Sequence, residues 1–359
     1  MEGVRMALKL TMSFFDNPRI DPLKDGTVKP ENIDLEIVTI TFWDGMLFYQ
    51  GLTNGLECDV SEMSISETLL TKERNETFGR GRWDWTPIPV FMSRGHFWAN
   101  LYVNTSSGIK DFGDLKGKRI GVHDYAMTAA LWFRVTLKEL YGIEAWDNIW
   151  YNWRTKELSH GGTVGLHLKG HEVTNGVALH WLTAEQTPDV MLDRGELDAT
   201  FPPNMSMGIT AGDPTVIDRY GGTPMTDNPR IRRLVDDQGK VILSEFFRRT
   251  GCYHANHHVV IKNSVLRDHP WVAMELYKAF ERSKEVAYER ARRTQSAYLY
   301  FEGNDWKEQT AVFGEDPYPL GLRAMRKTVE RAIQGSLEQG LIRKSIKVED
   351  LYFHTTLDT

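Results

Sequence analysis

Asp114-Leu115-Lys116-Gly117-Lys118-Arg119-Ile120-Gly121-Val122 is the stretch that sets the fold class. Residues 111–115 read as a short helical turn, Lys116-Gly117-Lys118 as a turn, and residues 119–122 as a buried strand. The segment that follows, 127–141, has a helical pattern with Leu131, Val135 and Leu137 among its apolar positions. The same succession recurs along the chain. Strands alternating with helices argue α/β layers with mostly parallel sheets.

Working toward the N-terminus, Leu8, Leu10, Met12 and Phe14 alternate as a strand with one buried face does, and residues 33–40 read as a second strand. A short helix is expected over 45–52 and a strand through Cys58-Asp59-Val60, with Ser66 capping a helix that runs through Leu70 to Arg74. A strand at 89–92 leads into another at 99–104. In the other direction, residues 151–185 are rich in Gly, Thr and His and weakly periodic, which predicts a long surface excursion. Residues 188–194 read as a helix ended by Gly195, with a strand at 196–200 after it. A strand over 257–261 precedes a helix capped by Asp268 with Pro270 in its first turn. Leu322, Met325, Val329, Ile333 and Leu337 form a last apolar stripe that stops at Gly340.

The 359 residues suggest about two domains. With 41% hydrophobic and 26% charged residues, the chain is neither disordered nor of low complexity. A net charge of -6 argues against a nucleic-acid scaffold. Cys58 and Cys252 are too few and too far apart for a disulfide framework or a CxxC metal site. The surplus is aromatic: 11 Trp, 13 Tyr and 16 Phe. Lys9 interrupts the first apolar stretch, so no export signal is read there, and no run approaches a membrane span. A cytoplasmic location is expected. No Ser-His-Asp order, Walker loop or GxGxxG is present.

The phrases at 114–122 and Arg194-Gly195-Glu196-Leu197-Asp198-Ala199 resemble the second lobe of the type II periplasmic-binding-protein fold. Met63-Ser64-Ile65-Ser66, Pro89-Val90-Phe91-Met92-Ser93-Arg94 and Tyr125-Ala126-Met127-Thr128 are more specific. So are His257-His258-Val259-Val260-Ile261, His269-Pro270-Trp271 and Gly314-Glu315-Asp316-Pro317-Tyr318. These resemble the 4,5-dihydroxyphthalate decarboxylase family, in order over nearly the whole chain. The resemblance implies two lobes, each a mixed, mostly parallel sheet flanked by helices. Lobe 1 would comprise 1–95 plus 255–359 and lobe 2 the inserted 96–254, with the ligand cleft between. It also implies a carboxy-lyase. Two phrases depart from the family. His96-Phe97-Trp98 stands where the family carries Phe-Arg-His, and Thr200-Phe201-Pro202 lacks an Arg ahead of the proline. A site without those basic groups should prefer a ligand with fewer negative charges, because an uncompensated buried carboxylate is costly.

Removing CO2 from a hydroxylated aromatic acid requires an anchored carboxylate, a proton for the ring carbon and a ring hydroxyl that relays charge. Arg19 and Arg94 are the expected anchors, since a guanidinium takes a carboxylate through two parallel hydrogen bonds. His257, matched to the family's histidine, is the expected proton donor. Glu67 is a candidate acid or base. Ser64, Ser66, Tyr125 and Thr128 are expected to line the cleft, with Trp43, His96, Trp98, His254 and Asn256 as further ligand contacts. Phe97 and Trp132 are additional ring surfaces. His254, His257 and His258 raise a metal site, but neighbours on a strand face opposite ways, so no metal and no cofactor are expected.

The expected function is decarboxylation of a hydroxylated aromatic carboxylate by protonation of the ring carbon that bears it. The alternative is a solute-binding protein that holds an aromatic or heteroaromatic molecule without chemistry. The expected partners are a small-molecule aromatic carboxylate and, at most, further copies of the chain in a homo-oligomer. Neither nucleic acid nor membrane is expected.

Overall fold

The computed structural model describes residues 7–40, 58–74, 77, 84–94, 97–202, 219–237, 239–298 and 304–359. Two mixed sheets organise them. The strands are β1 (Leu8–Phe15), β2 (Ile33–Ile40), β3 (Val60–Ser64), β4 (Trp85–Arg94), β5 (Tyr102–Asn104), β6 (Arg119–Val122), β7 (Ile149–Asn152), β8 (Ala178–Trp181), β9 (Ala199–Thr200), β10 (Ile231–Arg233) and β11 (Ala255–Lys262). The first sheet has the order β2-β1-β3-β11-β4 and the second β10-β5-β9-β6-β7-β8. β1 runs parallel to β2 and β3, and β11 runs against both β3 and β4. In the second sheet β6, β7, β8 and β9 are parallel, while β5 opposes β9 and β10 opposes β5.

The helices are α1 (Asp21–Lys24), α2 (Ile65–Arg74), α3 (Thr128–Tyr141), α4 (His160–Thr163), α5 (Pro188–Asp193), α6 (Lys240–Thr250), α7 (Asn263–Asp268), α8 (Val272–Tyr298), α9 (Asn304–Phe313), α10 (Leu322–Glu338) and α11 (Val348–Leu351). None of the described helices is long and apolar enough to cross a membrane. Leu10, Met12 and Phe14 of β1 pack with Leu276 and Phe280 of α8 on one face of the first sheet. Burying each such side chain contributes about 1.5–3 kcal/mol. The opposite side is different. Ile65, Leu69 and Leu70 of α2 and Phe91 of β4 share one core with Ile120 and Val122 of β6, Leu131 and Trp132 of α3, and Met325 and Val329 of α10. That continuous core joins the two sheet units. The interior of α3 is buried through Leu137, and Gly142 closes the helix in the left-handed region at φ 66°.

The α/β layering expected from 114–122 is present. Several local expectations are corrected. Ser66 does not cap α2, which begins at Ile65; Ser64 receives the Glu67 backbone N–H at 3.4 Å instead. Asp268 lies in the last turn of α7, and α8 starts only after Pro270 and Trp271. Residues 151–185 are not a surface excursion. They complete β7, supply β8 and α4, and bury Trp153, Val164 and Leu166. Gly161 and Gly162 serve close packing, since a Cβ on Gly162 would overlap the Lys156 carbonyl and one on Gly161 would press on Leu166. The helix expected over 45–52 lies outside the described residues.

Candidate active site at the facing strand ends

Because β11 opposes both of its neighbours, the carboxyl ends of β3 and β4 meet the amino end of β11 at one edge of the first sheet. The register puts His257 opposite Ser64 on one side and Ser93 on the other, with Ala255 opposite Arg94. Ligands of open α/β sheets bind beyond such strand ends.

Among the described residues, two arginines here have no acidic partner. Arg94 Nη1 donates to the Phe91 carbonyl at 3.0 Å, and Arg19 Nη2 to the Met92 carbonyl at 2.6 Å. The Arg19 guanidinium lies 3.7 Å over the Tyr318 ring, and Arg94 is 5.0 Å from that ring and 5.2 Å from Tyr253. Among the described residues, the buried Nε of Arg19 and the Nε and Nη2 of Arg94 have no acceptor. Burial pushes the Arg94 guanidinium down to about 10, with Arg19 adding to the shift against the phenols around it, so it is still a cation at neutral pH. Two cations side by side, each with a buried N–H group to spare, make a place for an anion. Asp316 fixes the Tyr318 platform: it accepts the Tyr318 backbone N–H and the Tyr288 hydroxyl, each at 3.0 Å, and pairs with Lys284 at 2.5 Å.

His257 Nδ1 is 3.3 Å from Oε2 of the buried Glu62. Its neighbours in sequence turn elsewhere. His258 bonds Thr68 at 2.7 Å and the Tyr352 hydroxyl at 3.1 Å, and burial pushes it down to about 3, with His257 adding to the effect. His254 is 3.0 Å from Thr136 and boxed by Trp98, Trp132 and Phe246. The three histidines therefore serve three separate neighbourhoods.

A second polar cluster bridges the sheet units. Ser64 Oγ and Thr128 Oγ1 are 2.6 Å apart, and the Ser66 backbone N–H donates to Thr128 at 3.0 Å. Thr128 opens α3, yet its hydroxyl spans to α2 instead of capping its own helix. Glu67, 1% exposed, sits 2.6 Å from Nδ1 of the buried His160. Burial by itself would lower the imidazole; the Glu67 charge, helped by Asp124 and opposed by Arg154, overcomes it and holds His160 above its ordinary value. Asp124 seats α4 by accepting the backbone N–H groups of His160 at 2.5 Å and Gly161 at 3.3 Å, as well as that of Ala126 at 2.9 Å.

Arg94, Ser64, His257 and Asn256 thus stand along one strand edge, with Arg19 joined to it through Met92 and Ser66, Glu67 and Thr128 in the adjoining bridge. Trp98, Trp132, Tyr125 and His254 are in the shared core, where the Tyr125 hydroxyl donates to the Gln339 carbonyl at 3.0 Å and the Trp132 indole to the Ala255 carbonyl at 2.7 Å. Trp43 and His96, and the Phe97 side chain, lie outside the described residues. Sequence reading missed Glu62, His160, Arg154 and Tyr318. The one local sign for His160 was Ser159-His160-Gly161-Gly162, a capping serine before two glycines suited to close backbone packing.

Two mixed sheets facing each other through their strand ends define the periplasmic-binding-protein fold. A periplasmic sulfonate-binding protein from Methylobacillus flagellatus shares it, with TM-score 0.50 over 97% of this chain and 92% of that one at 14% identity. No protein-family model matches the chain. Along 98% of its length the chain is 26% identical to the 4,5-dihydroxyphthalate decarboxylase of Comamonas testosteroni, of which 98% is covered. It is also 29% identical, over 58% of this chain and 76% of the other, to a 4,5-dihydroxyphthalate decarboxylase of Pseudomonas putida. The chain is therefore related, from end to end, to a carboxy-lyase.

Proposed function

We propose that this protein decarboxylates a hydroxylated aromatic carboxylate held between its two sheet units. The observation that carries the reading is the Arg19–Arg94 pair, two half-buried arginines with buried N–H groups that lack an acceptor and with no acidic partner among the described residues. They anchor the carboxylate. His257, backed by Glu62, delivers the proton to the ring carbon bearing it, and CO2 leaves as the ring electrons are restored. The relatives' named substrate, 4,5-dihydroxyphthalate, is the first compound to try, with mono- and dihydroxybenzoates beside it because of the basic residues this chain lacks.

The test is incubation of the purified protein with each acid, following CO2 release and the ring product; 4,5-dihydroxyphthalate would give 3,4-dihydroxybenzoate. His257→Ala should abolish turnover while leaving ligand binding in place. A tight ligand recovered unchanged after long incubation would overturn catalysis. It would favour the second reading, binding without chemistry, which the sulfonate-binding protein of the same fold supports.

A further inference from the structure

The bridge between the sheet units holds more polar groups than its own bonds use. Thr128 Oγ1 is engaged by Ser64 and by the Ser66 backbone, and the Asp124 oxygens by three backbone N–H groups. Two atoms remain: among the described residues, Ser66 Oγ and Glu67 Oε1 are buried and have no hydrogen-bond partner. A buried group left in this state is costly, the more so when charged. A carboxylate oxygen only accepts, so the partner it lacks is a donor. His160, when protonated, offsets the carboxylate's charge, so that the bridge does not repel an anionic molecule.

We infer that Glu67, with Ser66 beside it, receives the ring hydroxyl of the substrate and takes its proton during decarboxylation. This rests on the reading of the ligand as a hydroxylated aromatic acid. On such a molecule the hydroxyl is the donor, while the carboxylate goes to Arg19 and Arg94. Protonation of the ring carbon by His257 makes a hydroxyl para to it strongly acidic, and its proton passes to Glu67 Oε1, leaving a carbonyl. The bond to the carboxylate carbon then breaks, its electron pair restores the aromatic ring, CO2 departs, and Glu67 returns the proton to the oxygen. The net change is one proton taken up, through His257, for each CO2 lost. His160 touches Glu67 alone in this scheme and is a positioning residue.

The experiment is calorimetric titration of the full chain with 4,5-dihydroxyphthalate and with phthalate, which differ only in the hydroxyls. The wild type should prefer the hydroxylated acid by about 100-fold or more, as sites built around a hydroxyl do. Glu67→Gln should cut that preference about 10-fold or more, leave phthalate affinity within about two-fold, and lower kcat far more than it raises KM. Ser66→Ala, which removes a hydroxyl without a partner among the described residues, should cut the preference by a smaller factor and serves if Glu67→Gln does not fold. His160→Gln should depress kcat with a shifted pH profile, and His160→Asn should not restore it. An equal affinity of the wild type for both acids, or a preference untouched in both variants, overturns this assignment while the decarboxylase reading stands. If neither acid binds, 4-hydroxybenzoate and benzoate take their place, and equal affinity for those two, or none for either, overturns this assignment.

Discussion

His160 Nδ1 lies 2.6 Å from Glu67 Oε2, and the two residues come from different sheet units, Glu67 from the helix after β3 and His160 from the short helix after β7. An ion pair at this position is a bond between the halves of the molecule as well as a piece of local electrostatics. It sits beside the Ser64–Thr128 contact, another polar tie between the same units.

The pair makes stability depend on pH in a stated direction. The folded imidazole titrates above the ordinary value near 6.5, because Glu67 outweighs burial. Its contribution is complete below about pH 6.5 and is lost as pH rises through the raised folded value. A His160→Gln/Glu67→Gln double variant lacks both titrating groups and gives the reference. The wild type's advantage in urea midpoint over this variant should be greatest near pH 6 and shrink toward pH 9. An advantage that grows with pH would show that the pair is not ionised as described.

How much of this was legible in the sequence depends on the range of the interaction that decides each residue. Strand alternation at Leu8, Leu10, Met12 and Phe14 is local, and β1 follows it. Arg94, at the end of a predicted strand, is legible for the same reason. Tyr125 and Trp98 sit beside cleft positions in the chain, but the core shared by α2, α3 and α10 extends under them and takes them inside. His160 was missed because its meaning comes from Glu67 and Asp124, residues far away in the chain, while its own surroundings in sequence resemble a loop. Weak periodicity there reflects short strands and close glycine packing, which a periodicity reading takes for exposure.

His258 predicts the opposite pH behaviour. Burial pushes it down to about 3, where the ring is neutral between Thr68 and Tyr352. Between about pH 6.5 and 3 the unfolded chain binds a proton that the folded chain refuses, so stability falls as the solution is acidified. The full effect is on the order of a few kcal/mol. His258→Gln should be less stable than the wild type at pH 7 and should lose less stability between pH 6.5 and 4. Parallel acid-denaturation curves for the two proteins would remove His258 as the acid-sensitive group.

Arg94 should show a conflict between stability and function. Its guanidinium is buried with two unused nitrogens and another cation, Arg19, as electrostatic neighbour. An apolar side chain of similar length does not carry the desolvation cost of a buried cation that has no counter-ion. Arg94→Met should therefore raise the Tm of the free protein by a few degrees. The same change should abolish the Tm increase produced by saturating aromatic carboxylate, about 2.7 kcal/mol at a hundred times Kd. A variant with lowered Tm and intact ligand response would make Arg94 a structural residue.

Gly162 offers a test of the bridge that leaves every polar group in place. A Cβ there would collide with the Lys156 carbonyl, a backbone atom that cannot swing aside. The N–H of Gly162 also donates to Ser159 Oγ at 2.9 Å, the cap that starts α4. Gly162→Ala must displace either the 156 segment or α4, and α4 carries His160. Overpacking of this kind costs about 1–3 kcal/mol, but the informative readout is local. Histidine NMR titration should show the His160 resonance moving down from its raised value as Glu67 is pulled away, while His258 keeps its depressed value. Loss of stability with the His160 titration unchanged would mean that the Lys156 segment gives way instead, and that α4 is held to Glu67 and Asp124 more firmly than to its own glycine turn.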